Sequence, residues 1–423
     1  MTSFTDPCFK YQGPDLFVEE VSAASIVNKF GSPCYVYSRS AIERQWHILN
    51  AAFGTHPHEI CYAVKANSNL AVLNILARLG SGFDIVSAGE LHRVLLAGGD
   101  ASKIVFSGVA KSRDEIRFAL ESRIRCINVE SIAELQRIQS VAQELGVVAA
   151  IGLRVNPDVD AQTHPYIATG LKESKFGIPM EAAFSAYSLA NDMPNVSIHS
   201  VACHIGSQIT KLSPFNDALV LVLGLVKKLS NAGIEIKQLD LGGGLGIQYQ
   251  NEQLPSASDY IETLIGEMRA ANIDLPIAIE PGRFIVGNSG ILLTTVEYLK
   301  HNDDKHFAVV DAGMNDLLRP SLYQAFHKIS NIEQTGANTE QVYDIVGPVC
   351  ESSDVLGYDR KLSVEKADIL AIHSAGAYAF SMASSYNSRP RPAEIIVDGS
   401  NTHLARAREK LEDLTKHEQL IPF

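Results

Sequence analysis

The sequence has no long apolar run. Its longest apolar segment, ALVLVLGLV (Ala218 to Val226), is much shorter than the roughly 20 residues that a membrane-spanning helix needs. The first fifteen residues, MTSFTDPCFKYQGPD, also lack an apolar core of signal-peptide length and contain proline and aspartate. We therefore expect a cytoplasmic protein with no membrane-spanning segment.

The sequence is also poor in cysteine, and no two cysteines form a CxxC pair. Such scattered cysteines suit a reducing compartment and predict neither a disulfide framework nor a thiolate zinc site. We predict no metal site. The six cysteines are Cys8, Cys34, Cys61, Cys126, Cys203 and Cys350.

Basic residues are in the minority, with 36 lysines and arginines against 48 acidic residues and a net charge of −12. No run of lysine or arginine forms the basic stripe that a nucleic-acid surface requires. The chain has 423 residues, and 46% of them are hydrophobic. That length is sufficient for two domains with substantial cores.

From about residue 40, short β-branched runs alternate with amphipathic helical patterns. Eight strands in about 245 residues, each led or followed by a helix, predict a closed (β/α)8 TIM-like barrel. A doubly wound open sheet is the rival, but it usually carries a glycine fingerprint after its first strand, and none follows Lys65. The predicted strands are 60–66, 82–86, 103–108, 125–130, 148–156, 198–206, 236–244 and 276–282.

After Pro281 the pattern changes to strand-like runs separated by turns, with few helices. These runs begin with FIVGNSGILLTTVEYL (284–299) and predict a second, mainly antiparallel β domain of the sandwich or barrel-like kind. A further strand candidate, PCYVYS (33–38), precedes the first helix and is expected to pack with this domain. The predicted domains are therefore 40–285, and 1–39 plus 286–423.

Polar residues fall at the carboxyl ends of the predicted barrel strands, where the active sites of such barrels lie. Each has an ordinary structural explanation, such as a snorkelling lysine or a glycine run needed for a turn. Their joint occurrence on one rim favours a functional site. The residues are Lys65, Asp84, Arg154, His204, Gly242 to Gly244, and Glu280.

The residue types in this set indicate which ligand the site would bind. The glycine run in DLGGGLG offers backbone N–H groups suited to a phosphate, and the Lys-Ser/Thr of a nucleotide P-loop is missing. The amine of Lys65 suits a Schiff base with a carbonyl compound. The Glu280 carboxylate would keep a ring nitrogen protonated. A phosphate, an aldehyde and a ring nitrogen together describe pyridoxal 5'-phosphate.

The sequence resembles the alanine-racemase-like, fold-type III pyridoxal-phosphate decarboxylases of basic amino acids. The matching motifs run in order along nearly the whole chain. They are YAVKAN (62–67), FDIVSAGEL (83–91), HIGSQI (204–209), DLGGGLG (240–246), EPGRFIV (280–286), DAGMNDLLRPSLYQAFH (311–327), GPVCESSD (347–354) and GAYAFSMASSYNSRPRP (376–392).

The resemblance implies that Lys65 forms the Schiff base with the cofactor and that His204 stacks on its ring. It also implies that Asp84 and Glu90 order Lys65 and Arg154. The other residues expected at the cofactor are Ser207, Gly243, Gly244, Glu280, Pro281, Gly282, Arg283 and Tyr378.

The resemblance further implies decarboxylation of meso-2,6-diaminopimelate to L-lysine and carbon dioxide, the last step of lysine biosynthesis. Cys350 is then expected to reprotonate the product or to position the group that does. The neighbouring subunit of a homodimer is expected to supply Cys350 and Glu351. The substrate-binding residues would be Arg283, Arg319, Tyr323, Glu351 and Tyr378.

Three alternatives remain open from the sequence. A related decarboxylase could act on ornithine, arginine or carboxynorspermidine, although Arg319 and Tyr323 favour a substrate with an amino acid at both ends. A non-catalytic pyridoxal-phosphate binder would usually lack the lysine or the cysteine loop, and both are present. A racemase is the third alternative, but GPVCESSD fits decarboxylation better.

Overall fold

The computed structural model describes residues 7–160, 170, 174–302, 305–334 and 340–422. The chain divides into two compact units. The barrel unit comprises residues 43–247 and 253–285, and the β unit comprises residues 1–42, 248–252 and 286–423. The domain limits predicted from the sequence concern segments that fold independently, and they stay a prediction.

The N-terminal segment contributes strands to the β unit. They are β1 (Phe9–Gln12), β2 (Asp15–Val18), β3 (Val21–Ser22) and, after helix α1 (Ala23–Phe30), β4 (Cys34–Ser38). The first three form a small antiparallel sheet. Helix α1 begins after Ser22 because the Ser22 hydroxyl accepts the backbone N–H of Ser25, a group that would otherwise lack a helical partner.

Eight parallel strands then form a closed barrel. In chain order the barrel strands are β5 (His58–Ala63), β6 (Gly82–Ile85), β7 (Ile104–Phe106), β8 (Cys126–Val129), β9 (Ala149–Asn156), β11 (Val196–Ala202), β12 (Gln238–Asp240) and β13 (Ile277–Ile279), and a ninth strand outside the ring, β10 (Ile178–Pro179), comes between β9 and β11 in the chain. Each barrel strand pairs with the next, β13 pairs with β5 to close the ring, and the two-residue β10 lies beside β9. The predicted barrel and all eight of its predicted strands are confirmed.

Helices alternate with these strands. They are α2 (Arg39–Ala52), α3 (Leu70–Arg78), α4 (Ala88–Leu96), α5 (Arg113–Glu121), α6 (Ile132–Leu145), α7 (Met180–Asn191), α8 (Ser213–Asn231) and α9 (Ala257–Ala270). Strands such as β6, β8 and β12 are buried along their whole length, because a parallel sheet covered by helices has no solvent face. Among the described residues, no helix is both long and apolar enough to cross a bilayer.

Serine caps set the points at which several of these helices begin. Ser87, Ser112 and Ser131 each accept the backbone N–H of the glutamate three residues later. At Ser112 the Glu115 carboxylate also accepts the serine's own N–H, which completes a capping box. Since each cap follows closely after a barrel strand, these hydrogen bonds fix the short turns that form the rim at the carboxyl ends of the strands.

The remaining elements belong mostly to the β unit. They are α10 (Arg283–Val286), β14 (Gly290–Asn302), β15 (Lys305–Val310), α11 (Arg319–Tyr323), β16 (Ile329–Asn331), β17 (Gln341–Val346), β18 (Val355–Leu362), β19 (Ile369–Ile372), β20 (Ala393–Asp398), β21 (Asn401–Arg406) and α12 (Leu411–Thr415). The main sheet has the order β18-β17-β15-β14-β4-β20-β21, and β19 pairs with β14 and β16. Most pairings are antiparallel, which confirms the predicted second fold class.

The predicted strand at 33–38 is β4, which lies between β14 and β20 in this sheet. The long run at 284–299 is only partly a strand, so that prediction was wrong for its first residues. Residues 283–286 form α10 and 287–289 form a 3₁₀ turn before β14 begins at Gly290. A short buried apolar run does not distinguish a helix from a strand by its periodicity.

Candidate active site

A cavity of about 330 Å³ is lined by residues at and just beyond the carboxyl ends of the barrel strands. This volume lies in the usual range for a small-molecule site. Four residues predicted from strand ends line it, namely Lys65, Arg154, His204 and Glu280. Asn128 and Asp240 also line it, and the sequence analysis assigned no role to either of them.

Lys65 lies in the single 3₁₀ turn, Val64–Ala66, that follows β5. Its Nζ is 2.5 Å from Oδ2 of Asp84, whose side chain is completely buried on the neighbouring strand β6. The Lys65 side chain is 35% exposed, so the lysine is neither fully buried nor extended into solvent. The carboxylate of Asp84 therefore holds the amine at the cavity wall, where a ligand can reach it.

His204 follows β11 and has its ring fixed by the glycine run. The backbone N–H of Gly243 donates to Nδ1 of His204 at 3.2 Å, which leaves the ring proton on Nε2 of the neutral imidazole. Burial holds the pKa of His204 well below its usual value, and the charges of Arg154 and Lys65 lower this pKa further. His204 is thus a neutral, flat ring at the cavity wall.

Glu280 and Asp240 form a buried pair of carboxyl groups. Burial raises the pKa of Glu280 well above its usual value, with Asp240 and Asp84 adding to the effect. Asp240 accepts hydrogen bonds from Asn128 Nδ2 at 3.0 Å and from the Gly242 N–H at 3.1 Å. Burial raises the pKa of Asp240 too, but these two donors oppose that rise, so the proton shared by the pair lies on Glu280.

The glycine run passes between two neighbouring strand ends with no room for side chains. A Cβ on Gly243 would lie 2.2 Å from the carbonyl oxygen of Glu280, and one on Gly244 would lie 2.6 Å from that of Gly206. Gly242 and Gly244 also have positive φ angles of 64° and 119°, which favour glycine. The backbone itself therefore forms this part of the rim.

The segment after β13 is held against the turn that carries Lys65. The carbonyl of Pro281 accepts the N–H of Ala63 at 3.1 Å, and a Cβ on Gly282 would lie 2.8 Å from Cβ of Ala66. Arg283 Nη2 donates to the hydroxyl of Ser207 at 2.9 Å. These contacts bring four of the residues predicted for the cofactor together in the barrel unit.

Arg154 is ordered by a carboxylate that the sequence analysis missed. Its Nη1 lies 2.8 Å from Oε1 of Glu130, and its guanidinium stands over the ring of Phe176 at 4.7 Å. Glu130 also accepts the N–H groups of Gly108 and Gly177. The expectation that Glu90 orders Arg154 is corrected, because the partner of Arg154 is Glu130.

A buried ion pair between Lys111 and Glu134 holds Glu130 in place. Lys111 is 2% exposed, and its Nζ donates to Glu134 Oε1 and to the carbonyls of Gly108 and Asn128, each at 2.7 Å. The other oxygen of Glu134 accepts the N–H of Glu130 at 3.0 Å. The network thus fixes three residues of the cavity wall, namely Gly108, Asn128 and Arg154.

Glu90 lies in the first turn of α4 and accepts the N–H of Val86 at 2.7 Å. Burial raises its pKa to about 7, and the nearby Lys65 charge partly opposes that rise. The interaction with Lys65 agrees with the expectation that Glu90 influences this lysine, although the structure gives Glu90 the additional task of closing the turn after β6.

The remaining predicted residues lie in the β unit. Arg319 is buried at the start of α11, where its Nη1 donates to the hydroxyl of Tyr249 at 2.7 Å and its guanidinium stands 4.7 Å from the Tyr249 ring. Tyr323 ends the same helix and is half-buried. Tyr378 is half-buried with a φ of +53°, a conformation that is uncommon for residues other than glycine.

Cys350 and Glu351 lie on an exposed loop of the β unit. The root of that loop is held by Asp354, which accepts the N–H groups of Met314 at 2.6 Å and Val349 at 2.7 Å. Asp354 is therefore the buried anchor that joins the GPVCESSD segment to the DAGMND segment. The sequence signal for Asp354 was its place in the GPVCESSD motif, four residues after Cys350.

The sequence analysis missed other residues as well, and the sequence carried a recognisable signal for some of them but not for others. Asp240 begins the DLGGGLG motif and is the last residue of the buried strand β12, so a carboxylate at a strand end was visible in the sequence. Tyr249 and Lys111 lie outside the quoted motifs and carry no local pattern that separates them from ordinary surface residues. Their burial and partners follow from packing between segments that are far apart in the chain.

Comparison with known proteins identifies the family. Residues 39–287 match the family model described as pyridoxal-dependent decarboxylase, pyridoxal binding domain. The diaminopimelate decarboxylase of Vibrio cholerae is 54% identical to this chain, with 98% of this chain and 99% of the relative covered. The enzyme of that name from Pseudomonas aeruginosa is 55% identical at the same coverage.

A solved structure shows the same similarity. The crystal structure of diaminopimelate decarboxylase from Helicobacter pylori complexed with L-lysine matches with a TM-score of 0.90 and 44% identity, covering 93% of this chain and 98% of that one. The similarity therefore extends over the barrel and the β unit alike. The chain belongs to the family of pyridoxal-dependent decarboxylases.

Proposed function

We propose that this protein decarboxylates meso-2,6-diaminopimelate to L-lysine and carbon dioxide, with pyridoxal 5'-phosphate as its cofactor. The observation that carries the proposal is the meeting of Lys65, His204 and Glu280 in one cavity of a chain that resembles diaminopimelate decarboxylases along its full length. These three residues supply an amine, a flat neutral ring and a protonated carboxyl, which are the groups that the cofactor requires.

The cavity fits this cofactor on three grounds. The amine of Lys65 is held at the wall by a buried carboxylate and remains partly exposed, which suits reaction with an aldehyde. Arg283 Nη2 donates to the Ser207 hydroxyl, next to the close contact between Gly244 and Gly206, so a guanidinium and a hydroxyl are available there for an anionic group. Glu280 carries a proton in a buried position, where a basic ring nitrogen can receive it. When bound, pyridoxal phosphate supplies an electron-poor ring that accepts the electron pair of the broken C–C bond.

Residues of the barrel unit then have distinct tasks. Asp84 orients the amine of Lys65, and Asp240 keeps the proton of its carboxyl pair on Glu280. Arg154, fixed by Glu130, places a positive charge at the wall of the same cavity. That charge and the buried walls also keep His204 neutral, so that it presents a flat ring for stacking.

We further propose that five residues, Arg283, Arg319, Tyr323, Glu351 and Tyr378, recognise the substrate. Arg319 would bind the distal carboxylate through paired hydrogen bonds, with Tyr323 beside it. Glu351 would accept the distal ammonium, and Cys350 would return a proton to the product carbon. Arg283 and Tyr378 would contribute contacts to both cofactor and substrate. Each site would take its Cys350 and Glu351 from the partner subunit of a homodimer.

The six free cysteines suit a cytoplasmic location.

Product analysis tests the proposed reaction. The purified protein is incubated with pyridoxal phosphate and meso-diaminopimelate, and L-lysine and carbon dioxide are measured together. Equal amounts of both products are expected. Parallel incubations with ornithine, arginine and carboxynorspermidine should release at least tenfold less carbon dioxide. A faster release from one of those amino acids would assign the protein to a different substrate within the same family.

A further inference from the structure

The loop that carries Cys350 and Glu351 is supported at its tip by a second segment, residues 386–388, which no function has yet accounted for. The N–H of Cys350 donates to Oδ1 of Asn387 at 2.7 Å. The hydroxyl of Tyr386 donates to Oε2 of Glu351 at 3.3 Å. Two consecutive residues of this segment therefore contact the two consecutive residues proposed for chemistry and for ammonium recognition.

The backbone of the supporting segment adopts an unusual conformation. Asn387 and Ser388 have φ angles of +56° and +53°, in the left-handed region that costs free energy for most residues. Asparagine tolerates this region better than most other side chains. The conformation turns the Asn387 side chain toward the Cys350 N–H, so the local strain coincides with a contact at the proposed proton donor.

The two ends of the Cys350 loop are supported in different ways. Asp354 is 2% exposed and holds the loop root through the N–H groups of Met314 and Val349. In the single chain Cys350 and Glu351 are exposed, so water can satisfy the Cys350 N–H during folding if Asn387 is absent. The hydrogen bond at the tip therefore adds little to folding, and its main consequence is to select one orientation of the loop.

We propose that Asn387 is a positioning residue that acts through Cys350, and that Tyr386 positions Glu351 in the same way. Tyr386 and Asn387 thus preorder the pair before it meets substrate, which avoids an ordering cost during the reaction. The inference rests on the proposed function for the roles of Cys350 and Glu351, whereas the contacts themselves do not depend on it.

The test uses the holoenzyme and the variant Asn387→Gly, which keeps the left-handed backbone accessible and removes the acceptor. Ser388→Gly is the matched control, because it changes the neighbouring positive-φ residue and keeps the acceptor. We expect Asn387→Gly to lower kcat about 10- to 100-fold with KM changed less than about twofold and an unchanged melting temperature. Ser388→Gly should retain the wild-type kcat.

A double-variant cycle shows whether Asn387 acts through Cys350. If it does, adding Asn387→Gly to Cys350→Ser causes no further loss of kcat, because the group that Asn387 positions is already gone. Losses that multiply in the double variant would overturn the proposal, as would a wild-type kcat for Asn387→Gly.

A second readout is independent of the reaction. All six cysteines lie in the described part of the chain, where Cys350 is exposed and the other five are buried, so the alkylation rate with iodoacetamide reports on this thiol. Asn387→Gly should change that rate at least threefold at constant pH, while Ser388→Gly leaves it unchanged. If Cys350→Ser retains full activity, the proposed role of Cys350 fails, and the alkylation rates alone decide whether Asn387 positions the loop. Identical rates would overturn it.

Discussion

Nζ of Lys65 lies 2.5 Å from Oδ2 of Asp84; the lysine lies in the turn after β5, and the aspartate lies on the neighbouring strand β6. The aspartate has no exposed surface, and the lysine keeps about a third of its own. A buried carboxylate of this kind is stable because the ammonium neutralises it. The pair explains why a lysine stands at the end of an apolar run, and it presents the amine to the cavity.

Lys65→Ala is expected to abolish both turnover and the visible absorbance of the protein supplied with pyridoxal phosphate, because the proposed covalent link to the cofactor would be lost. Lys227→Ala, on the exposed face of α8, is the matched control and should retain both properties. Absorbance spectra and lysine production measure the effect. Wild-type turnover by the Lys65 variant would remove this residue from the mechanism.

Arg319→Ala is expected to raise KM for diaminopimelate about 10- to 100-fold, because the proposed charge-assisted hydrogen-bond pair to the distal carboxylate would be lost. Tyr249→Phe removes only the hydroxyl that accepts from Arg319 Nη1 and should raise KM less. Initial-rate kinetics over a range of substrate concentrations give both values. An unchanged KM for Arg319→Ala would show that another residue binds that carboxylate.

Lys111→Met is expected to destabilise the fold by about 3–5 kcal/mol, because it leaves the buried carboxylate of Glu134 without its counter-charge. The double variant Lys111→Met/Glu134→Gln should recover part of the loss, since it removes both charges. Denaturant unfolding measures the stability of each protein. A single variant as stable as the wild type would mean that the pair contributes nothing at this position.

Asp316 makes stability depend on pH in a predictable direction. Burial raises the pKa of this carboxyl to about 7, above its ordinary value near 3.8, so the native state binds more protons than the unfolded state between these two values. Its contribution to stability is therefore present in full below about pH 4 and is lost as the pH rises toward 7. Asn315 Oδ1 lacks a hydrogen-bond partner, and after an amide flip it would accept a hydrogen bond from the protonated Asp316 carboxyl.

The variant Asp316→Asn isolates this effect, because it stays neutral at every pH. Its melting temperature relative to that of the wild type should increase between pH 5 and pH 8. Asp413→Asn on the exposed helix α12 is the comparison and should show no such increase. A difference that is constant across this pH range would mean that Asp316 titrates at its ordinary pKa in the folded protein.

The proposed shared site predicts complementation between two inactive proteins. Lys65→Ala and Cys350→Ser homodimers are dissociated, mixed in equal amounts and reassociated. If each site takes residues from both subunits, half of the dimers are mixed, and each mixed dimer has one intact site. Recovery of about a quarter of the wild-type activity is then expected. Activity no higher than that of the separate variants would place Lys65 and Cys350 in one subunit.

The sequence by itself was sufficient for the barrel. Eight β-branched runs alternating with capped helices have a period that few folds share, and a buried parallel strand is apolar throughout. It also indicated the cavity residues at strand ends, because parallel strands bring their carboxyl ends to one rim. It did not distinguish helix from strand at residues 284–289, since both bury an apolar run of that length equally well.

Only the tertiary structure decided which charges meet. Arg154 pairs with Glu130 and not with Glu90, and Lys111, Tyr249 and Asn387 acquire their partners from segments up to 70 residues away. Local patterns record whether a residue favours a helix, a strand or a turn. Pairings between side chains and the pKa shifts that follow depend on distances and burial, which arise only when remote segments pack together.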